Sequence, residues 1–314
     1  MTATLDIVIV NWNSGIQLRR CLESIAAAER RGLEIRRVAI VDNASSDHSA
    51  DALDDLPLPL HCIRNPTNRG FAAACNQAAH GSPAAYLLFL NPDTVLATDS
   101  LVVPLAFMEQ PANRAVGIVG VQLCEANGRV AHSCARFLTP GMMLRGMLGV
   151  DRLLASWLPS HFMTDWDHRD TRAVDHVTGA FFLVRGEVFD ALDGFDERFF
   201  VYLEDLDFSL RARRAGWYTY YLATTSAYHR GGGTSEHIKS RRLYYALRSR
   251  VLYAYKHFRW PTATALTLAT AALEFGTRLV RAMARRSFTE ARDTVHAYTL
   301  LWRALPTITR PHAG

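Results

Sequence analysis

No CxxC pair occurs in this chain, and its five cysteines, Cys21, Cys62, Cys75, Cys124 and Cys134, are scattered without histidine-rich companions. That argues against a disulfide framework and a zinc site, and predicts a reducing, cytoplasmic environment. The glycine pattern GxGxxG, which dinucleotide folds need for close approach to a pyrophosphate, is missing after the first apolar run, where "NWNSG" stands instead. The P-loop pattern GxxxxGK[ST] is absent too, so NAD enzymes and P-loop NTPases are both demoted. Long apolar runs are equally lacking. The start, "MTATLDIVIVNWN", has no basic leader and reads as a strand rather than a signal peptide. The run "TATALTLATAAL" is interrupted by Glu274, well short of the ~20 apolar residues a spanning helix needs, so no transmembrane helix is expected.

What remains is ordinary globular composition, 49% hydrophobic and 21% charged over 314 residues, enough for one large domain or one domain with an appendage. Charge divides it unevenly. From Arg230 to the end there are 15 Lys and Arg against 4 Asp and Glu, a net of +11, while the preceding part carries 20 basic and 26 acidic residues. The tail is therefore a different object from the body.

Within the body, apolar runs alternate with helical periodicity. "LDIVIVN" reads as a strand buried on both faces, "SGIQLRRCLESIAAAERRG" as a helix, "RRVAIVD" as a second strand, and "NASSDHSADALDDL" as a short capped helix. A strand "LHCIRN", a helix "FAAACNQAAHG" and a buried strand "AYLLFLN" follow. This alternation predicts a parallel, doubly wound sheet whose ligands lie beyond the carboxyl ends of its strands. Asn11, Asn13, Asp42, Asn43, Asn91 and Asp93 stand at those ends.

Beyond a helix around 99–110, an Asn-Gly turn predicts a hairpin, residues 140–172 read as an irregular and mobile excursion, and "WYTYYLA" reads as a late strand.

Three constellations carry chemistry. Asp42, ending a strand, can accept from a nucleobase or a ribose hydroxyl, though an acid there also caps helices. In "LLFLNPDTV", Asp93 sits where a hard cation can bridge a carboxylate to phosphate oxygens; Asn-Pro-Asp is also a common turn. In "YHRGGGTS", His229 precedes three glycines, whose conformational cost favours a moving or closely approaching backbone. A fourth feature is "RFFVYLEDLDFSLRARRAGW", in which Glu204, Asp205 and Asp207 follow an aromatic run. Acids suit a helix start, but that alone leaves the aromatics unexplained.

Together, "IVIVNWNSG", "VDNASSD", "NRGFAAACN", "LFLNPDT", "VTGAFFLVRGEVFDALDGFDERFFVYLEDLDFSLRARRAGW" and "YHRGGGTS" resemble the family 2 glycosyltransferases, particularly bacterial rhamnosyltransferase-like members of cell-surface polysaccharide assembly. The resemblance implies a GT-A fold, α/β with a Rossmann-like mixed sheet, helices on both faces and a C-terminal helical extension. It implies a catalytic domain over 1–235, with a nucleotide-binding half to 110 and an acceptor half from 111, and a basic helical extension over 236–314. It further implies that Asp42 contacts the base of a nucleotide-diphospho-sugar and that Asp93 and His229 hold Mn²⁺ or Mg²⁺ on the diphosphate. Asn11, Asn13, Asn43, Arg69, Gly70, Asn76 and Asn91 would complete the donor site, with Thr178, Gly179 and Glu204 near the sugar or acceptor. Asp205 would be the catalytic base. Asn91 departs from the usual Asp-x-Asp by standing at the first acidic position.

An inverting transfer needs a base within hydrogen-bond reach of the acceptor hydroxyl. Phe199, Phe200 and Tyr202 are expected to anchor that base and shield it from water, raising its pKa together with crowding by Glu204 and Asp207. Asp207 is expected to be structural, bonded to the helix N-terminus or an arginine.

In the tail, "RRLYYALRSRVLYAYKHF" places Leu243, Leu247, Val251, Ala254 and Phe258 at helical spacing, and Arg278, Arg281 and Arg285 line a second helix. Such helices either pack with a solvated basic face or meet an anionic membrane and a lipid diphosphate at its cytoplasmic leaflet. No nucleic-acid motif accompanies them. The donor that the resemblance favours is dTDP-rhamnose, passed to a glycan or polyprenyl-diphosphate-linked hydroxyl. UDP- or GDP-sugars, a sugar nucleotidyltransferase releasing pyrophosphate, and a non-catalytic nucleotide-binding scaffold are the other readings.

Overall fold

The computed structural model describes residues 2–150, 158–231 and 238–309. Gly232 and Gly233 of the glycine run, and 151–157 of the expected mobile excursion, lie outside the described residues. The chain begins β1 (Ala3–Asn11), α1 (Ile16–Ala27), β2 (Leu33–Asp42), β3 (Leu60–Arg64), α2 (Phe71–Ala79), β4 (Tyr86–Leu90), β5 (Thr94–Leu96) and α3 (Val102–Glu109). It continues through β6 (Val116–Cys124), β7 (Cys134–Ala135), α4 (Pro140–Leu148), β8 (Arg172–Val174), β9 (His176–Val177), β10 (Phe181–Arg185), α5 (Gly186–Ala191), α6 (Glu204–Arg214) and β11 (Tyr218–His229). Helices α7 (Lys239–His257), α8 (Trp260–Leu268), α9 (Phe275–Ala284) and α10 (Phe288–Ile308) follow, with a π-helical stretch at Ala269–Glu274.

Two compact units result: one comprises 1–137, 166–197 and 204–234, the other 138–165, 198–203 and 235–314. The first is built on a nine-stranded sheet in the order β3-β2-β1-β4-β10-β6-β11-β5, with β8 beside β11. Strands β1 to β4 are parallel, as the alternation predicts, and β10 enters antiparallel between β4 and β6, making the sheet mixed. The continuous apolar runs of β1 and β4 occupy its middle, where both faces are covered. Leu18, Leu22 and Ile25 of α1 pack with Leu5, Ile7 and Ile9. Helix α2 buries five alanines, small side chains that let its backbone approach β1 and β2. Register then aligns the chemistry: Asn11 pairs with Asp42 and Asp42 with Arg64, so the polar strand ends share one rim.

The expected helix over "NASSDHSADALDDL" does not form; this stretch is turns and bends. Its Ser and Asp side chains bond the neighbouring loop instead: Asp47 accepts from the Gly15 amide at 2.8 Å, and Ser45 from the Asn13 amide at 3.0 Å. Such side chains compete with helical hydrogen bonding, and Ala44, His48 and Ala52 adopt positive φ. The Asn127-Gly128 hairpin forms at its tip, with Glu125 N donating to Arg129 O at 2.9 Å, Ala131 N to Leu123 O at 2.8 Å and Cys124 bridged to Val130, before the return arm leaves β6. Cys134 and Ala135 pair with Val177 and His176. The late strand is longer than expected, running to His229, because it pairs in turn with β8, β6 and β5.

The second unit is helical. The stretch read as irregular contains α4, whose start is capped by the Thr139 hydroxyl accepting from Met142 N at 3.2 Å and whose end is the left-handed Gly149. Met143, Met147, Ala254, Ala263 and Leu266 form one core there. Glu274 is buried between Arg250 (2.6 Å) and Arg278 (2.9 Å). Arg278 is thus an internal partner and not part of a free basic face.

Candidate active site

At the nucleotide end of the rim, Asn11 donates to Asp42 Oδ1 at 2.8 Å and to the Ser45 and Ser49 hydroxyls at 3.1 and 2.9 Å, while Ser14 donates to Asn11 Oδ1. Asp42 is nearly buried and also accepts from Ser45 N at 3.4 Å. Asn43 donates to Asn68 and to Gly70 O and accepts from Asn65 and the Arg69 amide, all at 3.0 to 3.1 Å. Asn76 clasps Phe195 through both its backbone groups and reaches Glu197. The amides of Asn11, Asn43 and Asn76 are therefore committed to the protein. They shape the loops that present Asp42 and the exposed Arg69, with Gly70 opening α2 at a φ of 88°. Asn13, at a φ of 51°, holds the Ser46 amide at 2.8 Å. The serines at 45, 46 and 49 were not singled out by sequence; their density after Asp42 was the available signal.

A second cluster forms where β5 meets the end of β11. Thr94 pairs with His229, which brings His229 Nε2 to 3.2 Å from Asp93 Oδ1. This antiparallel pairing joins residues more than 130 apart in sequence. One carboxylate and one imidazole are oxygen and nitrogen donors of the kind that would hold a divalent cation. Hard cations of this kind leave positions for substrate phosphates. No cluster of three or more His, Cys, Asp or Glu able to hold a metal exists among the described residues. Asn91, half-buried, heads the same loop.

The third cluster lies at the start of α6. Asp205 Oδ2 accepts from the Gly179 amide at 2.8 Å, and Oδ1 from its neighbour Leu206 N at 2.8 Å. His176 Nε2 lies 3.5 Å from Oδ2, and its Nδ1 meets Ser209 Oγ at 3.0 Å. Thr178 is fixed by its amide to Ser133 O at 2.9 Å. Neither His176 nor Ser209 was selected from sequence, although the histidine stands only three residues before Gly179.

The expected rise in the Asp205 pKa is not found. Burial pushes it up, but the His176 charge and the hydrogen bonds from His176, Gly179 and Leu206 outweigh burial and hold it below the usual carboxylate value. The raised acid is Glu204, buried and then further opposed by the charge of Asp205, with its Oε2 lacking any hydrogen-bond partner. Asp207 is structural as expected: fully buried, it accepts from Arg211 Nε at 2.8 Å. In the helical unit, Phe199 is buried beneath Lys256 and Phe200 stacks on Tyr245 at 4.5 Å, so these rings are anchored on α7. Tyr202 and Leu203, at φ of 71° and 67°, are consecutive left-handed residues immediately before Glu204. Non-glycine residues seldom adopt that conformation, and it gathers at functional sites.

The Ala180 carbonyl ties the second cluster to the third. It accepts from Asn91 N at 3.2 Å and from Thr94 Oγ1 at 3.1 Å. The residues on either side of Asp93 are thereby bound to the residue that follows Gly179. A carboxylate–imidazole pair and a hydrogen-bonded, partly accessible carboxylate are held on one rim.

Residues 6–193 match the family model Glycosyl transferase family 2. The chain is 27% identical over 245 residues to N-acetylglucosaminyl-diphospho-decaprenol L-rhamnosyltransferase of Mycobacterium tuberculosis, covering 73% of this chain and 76% of that one. It is 30% identical over 145 residues to rhamnosyltransferase WbbL of Escherichia coli, covering 46% and 52%. Among solved structures, a Pyrobaculum calidifontis mannosyltransferase in complex with GDP-Man and Mn²⁺ matches with a TM-score of 0.54 at 16% identity, over 96% of this chain and 86% of that one. S. aureus TarS 1-349 in complex with UDP-GlcNAc matches with a TM-score of 0.53 at 15% identity, over 94% and 79%. The fold is the GT-A arrangement, a mixed α/β sheet with its helices.

Proposed function

Because this chain belongs to glycosyl transferase family 2, we propose that it transfers L-rhamnose from dTDP-rhamnose, with inversion, to a hydroxyl of a polyprenyl-diphosphate-linked or glycan acceptor in cell-surface polysaccharide synthesis. The observation that carries this reading is the Ala180 tie, which keeps the Asp93–His229 pair and the Asp205 carboxylate on one rim. The choice of sugar and acceptor is supported by the mycobacterial relative, whose name specifies rhamnosyl transfer and a diphospho-decaprenol carrier.

In this mechanism residues 1–110 bind the nucleotide and 111–235 the acceptor. Asp42 meets the base, Arg69 pairs with the diphosphate, and Asn11, Asn43 and Asn76 hold the loops around them. Asp93 and His229 would hold Mn²⁺ or Mg²⁺, which when bound stabilises charge on the departing diphosphate. Asp205 removes the proton from the acceptor hydroxyl as its oxygen bonds to the anomeric carbon, on the face opposite the leaving nucleoside diphosphate. The lowered pKa of Asp205 keeps this carboxylate ionised at neutral pH.

The helical extension, 236–314, supplies peripheral attachment to the inner face of the cell membrane. No described helix is long and apolar enough to cross a membrane. Helix α9 and the start of α10 instead expose Val280 (61%), Met283 (66%) and Phe288 (91%), flanked by Arg281, Arg285 and Arg286. Apolar side chains rimmed by arginine complement an anionic lipid surface.

The deciding experiment is single-turnover transfer from dTDP-rhamnose to a short-chain polyprenyl-diphosphate GlcNAc, with dTDP release and the product anomer both measured. Asp205→Asn should bind dTDP as the unaltered enzyme does while losing transfer by about 10²-fold or more. Turnover with UDP- or GDP-sugars only would replace the donor, and persistent activity of Asp205→Asn would remove that residue as the base.

A further inference from the structure

We propose that His176 is a positioning residue, which, anchored on Ser209, holds the Asp205 carboxylate in the orientation and charge state that proton acceptance requires. This rests on the reading of Asp205 as the base. His176 spans one face of α6, since Ser209 lies one helical turn beyond Asp205. Its ring is almost wholly buried, with Phe182 of β10 6.3 Å away.

The three residues form an Asp-His-Ser chain, yet their accessibility runs opposite to that of a serine nucleophile. Ser209 is 0% exposed and cannot meet a substrate, whereas the Asp205 side chain keeps 17%. The member that faces outward is the carboxylate, so the chain serves Asp205. With Ser209 donating to Nδ1, the ring proton resides on Nε2 and faces Oδ2; a protonated ring donates from both nitrogens. Gly179 N–H, three residues after the histidine in the same stretch, donates to the same oxygen.

The surrounding titratable groups make the histidine's charge matter. Glu204 and Asp207 on α6 are acids, Asp207 being paired with Arg211, and Cys75 of α2 is a buried thiol whose proton is held by burial and by the nearby Glu204 and Asp205. Burial disfavours an ionised Asp205, and the His176 charge beside it opposes that.

The test is the pH dependence of kcat/KM for His176→Leu and His176→Gln, with dTDP-induced thermal stabilisation as the check on folding. The acid limb for His176→Leu should move up by about one pH unit or more, the size expected for removing an adjacent opposite charge. His176→Gln, which restores a donor without charge, should recover kcat at high pH while its acid limb remains displaced. Ser209→Ala, milder in packing, should lower kcat with little change in KM. An acid limb identical to that of the unaltered enzyme in folded His176→Leu overturns the proposal; if that variant does not fold, an unchanged kcat in Ser209→Ala does so. Asp205→Asn separates the two levels. Activity in that variant removes the base and this inference with it, whereas its inactivity beside unaffected His176 variants removes this inference alone.

Discussion

The Gly179 amide donates to Asp205 Oδ2 at 2.8 Å, and a Cβ built on Gly179 would stand 3.2 Å from that same oxygen. The closeness of the bond and the absence of a side chain are one requirement. Gly179→Ala must displace the carboxylate by a few tenths of an ångström or weaken the bond. Transfer should fall by about tenfold, since an error of ~1 Å costs on the order of 10² in rate. Nucleotide binding, followed by thermal shift, should be unchanged.

Asp93→Ala and His229→Ala should each reduce stabilisation by dTDP in the presence of Mn²⁺ and leave the small shift in EDTA as it was. Ligand at about 100 times its dissociation constant stabilises a folded protein by roughly 2.7 kcal/mol, well within the reach of a melting curve. Equal weakening with and without metal would remove the pair as cation ligands.

Glu204 and Asp205 bias stability in opposite directions with pH. The folded-state pKa of Glu204 is raised, by burial first and by Asp205 second, so its contribution is full below the unfolded carboxylate value and is lost as pH rises through the folded value. Glu204→Gln should therefore stabilise the protein at pH 7 to 8, by about 1 kcal/mol or more given its unpaired buried oxygen, and the gain should vanish towards pH 4. Urea unfolding at several pH values measures it; a gain that grew on acidification would have the wrong sign.

Met283→Glu combined with Phe288→Ser should lower sedimentation with phosphatidylglycerol vesicles, and also the weaker association with phosphatidylcholine, since the lost apolar contact is common to both. Both side chains are more than half exposed, so the folded state should lose little. Retained binding would make the helices a packing element.

Much of this was legible in the chain. Apolar runs gave β1, β2 and β4, and their polar ends gave Asn11, Asp42, Asn91 and Asp93, because a strand buried on both faces must carry its chemistry where it leaves the sheet. Asp207 was read as structural from the geometry of α6. The stretch after Asp42 misled for the reason that makes it useful: serine and aspartate can cap a helix or bond a neighbouring loop, and only the approach of Asn11, Asn13 and Gly15 decides which.

The sequence by itself determined the alternation of β1, α1, β2, α2 and β4 and the polar ends of those strands, since these follow from local periodicity, while the roles expected of Asp93, His229 and Asp205 come from the family resemblance. Tertiary structure alone decided three things: that His229 meets Asp93, that His176 and Ser209 brace Asp205, and that Glu204, not Asp205, carries the raised pKa. Each depends on burial and on contacts between segments remote in the chain, and an ionisation equilibrium responds to the whole of that surrounding charge and solvent.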